Sequence, residues 1–280
     1  MRHLGDFIFM KHRIVSLLLA VSLCFALAGQ STAVELPAIL ANGEPLQLDA
    51  PVSVINQTTY VSYWPVVKTF YPEATAVWED GRAVVRAEGL ELKIQPGTNY
   101  MIANGNCLPL PDGVRVSGNI LTVPVRPLCK ALGVDVGWDG ELNVVSLTDA
   151  GTGPIAPAAE RYNADDLYWL TRIIYAESGN QPLEGQIAVG NVIMNRVKSP
   201  LFPNTVYDVI HQRNQFTPVR NGTINLTPDE EAEIAAKLVL EGVNTAWGSL
   251  YFINPKVSSR SWVARTRTHV TTIASHAFYF

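Results

Sequence analysis

The chain has 280 residues, of which 48% are hydrophobic and 16% are charged, and its formal net charge is −4 at pH 7. This balance excludes an intrinsically disordered protein, which combines low hydrophobicity with high net charge, and it gives no global electrostatic reason to bind nucleic acid. Three cysteines are too few for a disulfide scaffold or an iron–sulfur protein.

Residues 1–28 have the pattern of a secretory signal peptide. Lys11, His12 and Arg13 precede an apolar run, Ile14–Ala28, that ends in small residues. A basic segment followed by a short apolar segment and small residues is typical of a cleaved signal, and the run is shorter than the roughly 20 residues that a membrane-spanning helix needs. We therefore predict cleavage and a location outside the cytoplasm, either secreted or in the cell envelope. An uncleaved N-terminal anchor is the alternative.

Residues 34–148 contain an internal repeat. The segment Thr59–Val66 aligns with Leu121–Leu128, and the sequence around Trp78 aligns with that around Trp138. Each unit has the pattern of an alternating strand, a short helix and a strand pair. We therefore predict a small α+β domain made of two related units.

The second unit carries the clearer motif. Its residues Val123–Arg126, Ala131–Gly133 and Trp138–Asp139 resemble the copper amine oxidase N-terminal-like domain. The resemblance implies anchoring or positioning at the cell envelope. It does not imply copper binding, because residues 34–150 contain no histidine and copper sites need imidazole or sulfur ligands.

Two features of this domain each allow two interpretations. Trp64, Trp78 and Trp138 could form a platform for sugar stacking, but tryptophans at strand spacing in a repeat are more often core residues, which is the interpretation we favour. Cys107 and Cys129 lie beyond the signal peptide. They either pair in an oxidising compartment or remain buried free thiols.

Residues 149–160 are rich in glycine, proline and alanine, which predicts a linker. The remaining residues, 161–280, have helical patterns. A helix is expected from the cap at Asn163 to about Ser178, followed by a second helix over 183–198.

A third helix is expected from Thr227 to about Glu241. Thr227 would be its cap, Pro228 its first helical residue, and Glu230 the acidic residue that follows three positions after the cap. Short strands or loops are expected near Ser249–Pro255.

Glu177 falls on the last turn of the first of these helices. A helix dipole is negative there and disfavours an ionised carboxylate by roughly 0.3–1 kcal/mol, and the apolar neighbours Ile174 and Ala176 would add desolvation. Both effects raise a carboxyl pKa, and a protonated Glu near neutral pH is what a general acid requires. Because most glutamates at helix ends are simply solvated, position alone makes Glu177 only a candidate.

The sequence Arg172–Val197 resembles the catalytic core of the SleB-type cell wall hydrolases, which include the spore-cortex-lytic enzymes. Further matches follow at Phe202–Val206, Asn214–Val219, Leu250–Pro255 and His276–Phe278. The resemblance implies a mainly helical, lysozyme-like (lytic transglycosylase-like) domain after the repeat domain, and hence an α+β protein. Glu177 matches the first Glu of the family motif, whereas Asn180 replaces its second acidic residue.

This resemblance implies a peptidoglycan lytic transglycosylase without a cofactor. Glu177 would protonate the oxygen between N-acetylmuramic acid and N-acetylglucosamine, and then deprotonate the muramoyl C6 hydroxyl to give a 1,6-anhydro product. If Glu177 deprotonates water instead, the protein is a hydrolysing muramidase. A two-carboxylate mechanism needs a second acid within about 5–9.5 Å, for which Glu184 and Asp208 are the candidates.

Five residues in the matched segments are expected to bind substrate: Tyr175, Gln215, Thr217, Tyr251 and Asn254. The loop with Gln215 and Thr217 either lines the cleft or serves turn formation, and Tyr175 either lines the cleft or packs internally. Tyr251 and Asn254 suit sugar stacking and amide recognition. The C-terminal segment is locally basic and either meets the carboxylates of wall peptides or forms a solvated face; its basic residues are Lys256, Arg260, Arg265 and Arg267.

Other enzyme classes fit poorly. A zinc amidase would need clustered ligands, but His269 and His276 are poorly spaced for a site. A papain-like peptidase needs a Cys–His pair, but both later cysteines lie in the repeat domain, which lacks histidine. A non-catalytic wall-binding or germination-accessory protein with the same fold remains the alternative. The expected partner is the peptidoglycan glycan strand, with no nucleic acid, and no membrane after signal cleavage.

Overall fold

The computed structural model describes residues 36–257 and 261–280. The signal peptide predicted at residues 1–28 lies outside the described residues and stays a prediction. Residues 36–280 cluster as one unit. Over the part of the chain that the structure describes, no helix is both long and apolar enough to cross a membrane.

Thirteen strands and two short helices form residues 38–149. The strands are β1 (Ala38–Ala41), β2 (Glu44–Pro45), β3 (Ser53–Ile55), β4 (Thr58–Ser62), β5 (Thr75–Glu79), β6 (Arg82–Ala87), β7 (Leu90–Ile94), β8 (Tyr100–Ala103), β9 (Asn106–Pro109), β10 (Arg115–Ser117), β11 (Ile120–Pro124), β12 (Val134–Asp139) and β13 (Val144–Asp149). The helices are α1 (Tyr63–Phe70) and α2 (Val125–Leu132). The sheets have the strand orders β12-β13-β1-β2, β10-β11-β4-β3 and β5-β6-β7-β8-β9.

The element order contains the predicted repeat. The succession β4, α1, β5 and β6 recurs as β11, α2, β12 and β13. β4 and β11 pair antiparallel, with Val61 opposite Val123, and both units contribute to one hydrophobic core. The prediction of two related α+β units is therefore confirmed.

The core interpretation of the tryptophans is correct only for Trp64, which packs against that core. It is wrong for Trp78 and Trp138, which are 61% and 53% exposed. Both lie on strands at the edge of a sheet, β5 and β12, where one side of the strand has no neighbour.

Cys107 and Cys129 are buried and unpaired, so a disulfide between them is excluded. Burial raises the pKa of each thiol to about 12.

Helices dominate residues 158–280. They are α3 (Ala158–Arg161), α4 (Ala164–Ser178), α5 (Leu183–Lys198), α6 (Val206–His211), α7 (Thr217–Asn221), α8 (Glu230–Leu240) and α9 (Trp262–Thr266), with a 3-10 turn at Thr223–Asn225. A small sheet of order β14-β16-β15 follows, built from β14 (Tyr251–Ile253), β15 (His269–Ile273) and β16 (His276–Tyr279). The predicted α+β class is confirmed.

The caps explain where the long helices begin. Asn163 Oδ1 accepts a hydrogen bond from the Asp166 N–H at 3.0 Å, which confirms the predicted start of α4. The start predicted for α8 at Thr227 is wrong by two residues. Asp229 is the cap, because its Oδ1 accepts a hydrogen bond from the Ala232 N–H at 2.9 Å.

α4, α5 and α8 pack closely against one another. At Gly190 of α5, an added Cβ would lie 2.8 Å from Ile174 Cδ1 on α4 and 2.9 Å from Val239 Cγ2 on α8. A larger side chain would require Ile174 and Val239 to shift, so the glycine fits the close approach of these helices.

The segment predicted as a linker, 149–160, is held along the repeat domain by hydrogen bonds. The Ile155 N–H donates to the Ala131 carbonyl at 3.0 Å. The Ala158 N–H donates to the Asn104 carbonyl at 2.9 Å, and the Asn104 amide donates to the Ile155 carbonyl at 2.8 Å. The segment is therefore an ordered strap, and its boundaries as a linker stay a prediction.

Glu241, directly after α8, joins the two parts of the chain. Its carboxylate accepts hydrogen bonds from Lys130 Nζ on α2 at 2.9 Å, Arg161 Nη1 on α3 at 2.6 Å and the Tyr162 hydroxyl at 2.9 Å. Its side chain is 5% exposed. Burial acts to raise the pKa of Glu241, but the hydrogen bonds from Arg161, Lys130 and Tyr162 outweigh it, and the net pKa lies below its ordinary value.

Replacing Glu241 by Gln removes a buried charge that two cations share. We expect the free energy of unfolding at pH 7 to fall by about 1.5–3 kcal/mol in urea titrations. A depressed carboxyl pKa stabilises the fold above the unfolded-state pKa, and that stability is lost as pH falls through the folded-state pKa. The difference between wild type and variant should therefore begin to shrink as the pH falls below the ordinary glutamate pKa of about 4.3 and vanish below the lowered pKa of Glu241.

Glu233→Gln on α8 is the matched control. It breaks the Glu233–Lys237 pair at 2.7 Å, in which the Glu233 side chain is 51% exposed, and such a pair should contribute less than about 1 kcal/mol. If Glu233→Gln and Glu241→Gln lower the free energy of unfolding equally, Glu241 does not stabilise the contact between the two parts of the chain as we propose.

Candidate active site

Glu177 is the penultimate residue of α4, and its side chain is partly buried. Within residues 36–257 and 261–280 its carboxyl group has no hydrogen-bond or ion-pair partner. Burial raises the pKa of Glu177 to about 7. The free carbonyls at the C-terminal end of the helix act in the same direction. Such a carboxyl group carries a proton that it can donate near neutral pH.

The loop after Glu177 is fixed at both ends. The Gly179 N–H donates to the Tyr175 carbonyl at 2.9 Å, and an added Cβ on Gly179 would lie 3.0 Å from Cδ2 of the Tyr175 ring. Farther along, Gln181 Oε1 accepts hydrogen bonds from the Ser275 N–H at 3.1 Å and hydroxyl at 2.7 Å. Ser275 lies in the turn between β15 and β16, so the C-terminal hairpin holds the loop beside Glu177.

Arg196 of α5 supports two of the predicted binding residues, although it was not among the predicted site residues. Its side chain is 5% exposed. Nε donates to the Leu250 carbonyl at 2.7 Å, and Nη1 donates to Gln215 Oε1 at 3.2 Å. Three aromatic ring centroids lie 4.9, 5.3 and 5.4 Å from its guanidinium carbon, those of Phe202, Phe216 and Tyr251.

Burial lowers the pKa of Arg196 to about 10, so the group remains charged at neutral pH. Aromatic faces stabilise a desolvated cation, which explains how the charge is tolerated without an acidic partner in the described segments. The sequence does hold a signal for Arg196. It lies four residues after Val192 on the buried, apolar face of α5, where a charged side chain requires special contacts.

The other predicted residues differ in their surroundings. Gln215 is exposed but tethered through Arg196, and Tyr251 is partly buried beside the same guanidinium. Tyr175 packs against the helical core. Thr217 is exposed at the start of α7, and Asn254 Oδ1 accepts a hydrogen bond from the Lys256 N–H at 3.0 Å, which is turn chemistry. The structure thus brings Gln215 and Tyr251 together and leaves substrate contacts as predictions.

Neither candidate for a second carboxylate is placed like Glu177. Glu184 is exposed in the first turn of α5, where an acidic side chain has an ordinary stabilising role. Asp208 Oδ2 accepts a hydrogen bond from the Thr205 hydroxyl at 2.7 Å at the start of α6. The described residues also contain no group of three or more His, Cys, Asp or Glu side chains that could hold a metal ion.

Comparisons with known proteins identify two families. Residues 180–279 match the family described as Cell Wall Hydrolase, a range that begins just after Glu177. Residues 40–147 match the family described as Copper amine oxidase N-terminal domain. Both resemblances noted in the sequence are confirmed.

Several individual proteins are similar to part of this chain. A spore cortex-lytic enzyme of Oceanobacillus iheyensis is 35% identical over 130 residues, which are 46% of this chain and 47% of that protein. A spore cortex-lytic enzyme of Bacillus cereus is 38% identical over 117 residues, 42% of this chain and 45% of that protein. The chain thus spans less than half the length of these curated relatives.

Among solved structures, the catalytic domain of the germination-specific lytic transglycosylase SleB from Bacillus anthracis is 37% identical. The match covers 45% of this chain and 100% of that chain, with a TM-score of 0.41.

Arg196→Met keeps an unbranched side chain but removes both hydrogen bonds and the charge. We expect the free energy of unfolding to fall by about 1–3 kcal/mol, because the Leu250 carbonyl loses its donor. Amide hydrogen exchange in residues 212–216 should speed up as Gln215 is released. Arg213→Met, an exposed change two positions from Gln215, should stay within about 0.5 kcal/mol. If Arg196→Met lowers the free energy of unfolding no more than Arg213→Met does, Arg196 does not have the proposed supporting role.

Proposed function

We propose, from the cell wall hydrolase domain at residues 180–279 and the carboxyl group beside it, that this protein cleaves peptidoglycan between N-acetylmuramic acid and N-acetylglucosamine. The observation that carries the proposal is the unpaired Glu177 carboxyl group, whose pKa burial raises to about 7. The relatives named as spore cortex-lytic enzymes support the same substrate class. This support applies only to the matched domain, because the chain spans less than half the length of each relative.

Glu177 would act twice in one cycle. In its protonated form it donates the proton to the glycosidic oxygen while the bond from that oxygen to the muramoyl C1 breaks. The resulting carboxylate then removes the proton from the muramoyl C6 hydroxyl, whose oxygen attacks C1. The products are a 1,6-anhydro sugar and a strand that ends in free N-acetylglucosamine, and Glu177 regains its proton.

The transglycosylase route is favoured over a two-carboxylate hydrolysis. Such a hydrolysis needs a second carboxylate that acts as nucleophile or base. Glu184 is exposed at a helix start, and Asp208 is engaged with the Thr205 hydroxyl, so neither is arranged for that role. A single carboxyl group suffices when the substrate supplies its own nucleophile.

The repeat domain would position the enzyme at the cell envelope. Its connection through Glu241, Lys130 and Arg161 fixes it to the helices that carry the site. Its exposed Trp78 and Trp138 are suited to contact envelope polymers. Secretion through residues 1–28 and action on spore cortex or cell wall belong to the same proposal.

Glu177→Gln tests the proposal, because an amide cannot donate the proton. We expect the full chain to solubilise purified peptidoglycan and the variant to lose about 10²- to 10⁴-fold in rate. Wild-type activity should fall as pH rises through about 7, where Glu177 loses its proton. Glu184→Gln is the control and should retain activity.

Mass spectrometry of the released fragments distinguishes the outcomes. Muramoyl ends lighter by one water support the transglycosylase, whereas reducing muramoyl ends would identify a hydrolysing muramidase. Undiminished lysis by Glu177→Gln would overturn the role of Glu177. If the wild type binds peptidoglycan and releases no fragments, the protein is a non-catalytic wall-binding protein.

A further inference from the structure

Tyr251 lies beside two guanidinium groups. The guanidinium carbon of Arg267 is 4.9 Å from the Tyr251 ring centroid, and that of Arg196 is 5.4 Å from it. Arg267 also lies 5.3 Å from the ring centroid of Trp262, and its Nη2 is 3.4 Å from the Tyr251 hydroxyl. The two rings meet edge to face at 5.5 Å. Two cations therefore share one small aromatic cluster.

Among the described residues, no acidic side chain pairs with either of these cations. Neither Arg196 nor Arg267 forms an ion pair within residues 36–257 and 261–280. The sequence contains no Asp or Glu after Glu241. The two guanidinium groups beside the Tyr251 ring repel each other. An anion that binds in this cluster is therefore attracted by both charges.

We propose that Tyr251, Trp262 and Arg267 form a subsite for the carboxylate on the muramoyl side group of a peptidoglycan strand. This proposal rests on the proposed function and specifies which part of the substrate the protein recognises. A guanidinium group binds a carboxylate through two parallel hydrogen bonds, and Arg267 is exposed at the surface. Trp262, 51% exposed, offers an aromatic face to the attached sugar.

The geometry distinguishes Arg267 from Arg265, two positions before it in the chain. Arg265 is equally exposed but has no aromatic or hydrogen-bonded contact in the described part of the chain. Arg267 contacts two rings, so less side-chain freedom is lost when it binds a ligand.

The subsite is connected to the loop after Glu177 through the C-terminal sheet. Tyr251 of β14 is opposite Tyr279 of β16, and Ser275, just before β16, is bound to Gln181 in the loop after Glu177. Tyr279 lies four positions after Ser275, which is about 13 Å along a strand. Arg267 would therefore hold a sugar beyond the cleavage point and affect binding more than the chemical step.

Binding is measured on the full chain with Glu177→Gln, so that strands are bound without being cleaved. The probes are peptide-bearing peptidoglycan, the same material with its carboxylates capped by carbodiimide and ethanolamine, peptide-free strands that expose the lactyl carboxylate, and chitin. Co-sedimentation at low salt gives the dissociation constants. Each dissociation constant is measured for Glu177→Gln alone and for the same protein with a second substitution. That substitution is Arg267→Gln or the charge-matched control Arg265→Gln.

We expect Arg267→Gln to weaken binding to uncapped peptidoglycan about three- to tenfold and to leave binding to capped peptidoglycan and chitin unchanged. Arg265→Gln should have little effect. In the cleaving protein, Arg267→Gln should raise KM and leave kcat nearly unchanged. A loss with peptide-free strands assigns the lactyl carboxylate, and a loss only with peptide-bearing strands assigns the stem peptide.

The proposal is overturned if Arg267→Gln weakens binding to capped and uncapped strands equally, or if Arg265→Gln is as harmful. If Glu177→Gln binds none of the peptidoglycan preparations, the proposed function itself fails. Binding that does not depend on Arg267 overturns the subsite alone. Circular dichroism of each variant checks that the fold is retained.

Discussion

A carboxyl group that is partly buried at the negative end of a helix keeps its proton unless a cation stabilises the ionised form. Glu177 is in this situation, and the arginines of α4 and α5, Arg172 and Arg196, have other partners. Arg172 Nη1 donates to the carbonyls of Ile224 and Leu226 at 3.2 and 3.0 Å. Arg196 is bound to Leu250 and Gln215. Because burial disfavours its ionised form and no cation pairs with it in the described residues, the pKa of Glu177 lies at about 7.

The rest of the structure keeps that arrangement rigid. α8 packs on α4 and α5 on one side and on β9 on the other, and Glu241 at its end is tied to α2 and α3. Gly190 allows the three helices to approach closely. The repeat domain thus supports the helices of the site, and the strap at 149–160 connects them without a loose segment. On the opposite flank the hairpin turn at Ser275 fixes the loop after Glu177.

The sequence predicted what depends on neighbours along the chain. The cap at Asn163, the bounds of α5 and the strand–helix–strand repeat follow from local patterns, and the structure confirms them. Contacts between distant residues were missed. The β15–β16 hairpin is held by the Gln181–Ser275 hydrogen bonds and by pairing with β14. Arg196 acquires its role only when three separate segments bring their rings around it. The exposure of Trp78 likewise depends on which strand ends at the sheet edge.

The proposed chemistry requires that Glu177 hold a proton near neutral pH. Carbon-13 NMR of the full chain, with labelled glutamate carboxyl groups and Glu177→Gln to assign the signal, measures the protonation of this group. We expect a titration midpoint for Glu177 of about 7. A midpoint near the ordinary glutamate value of about 4.3 would contradict it, because Glu177 would then be ionised under the conditions in which it must donate a proton.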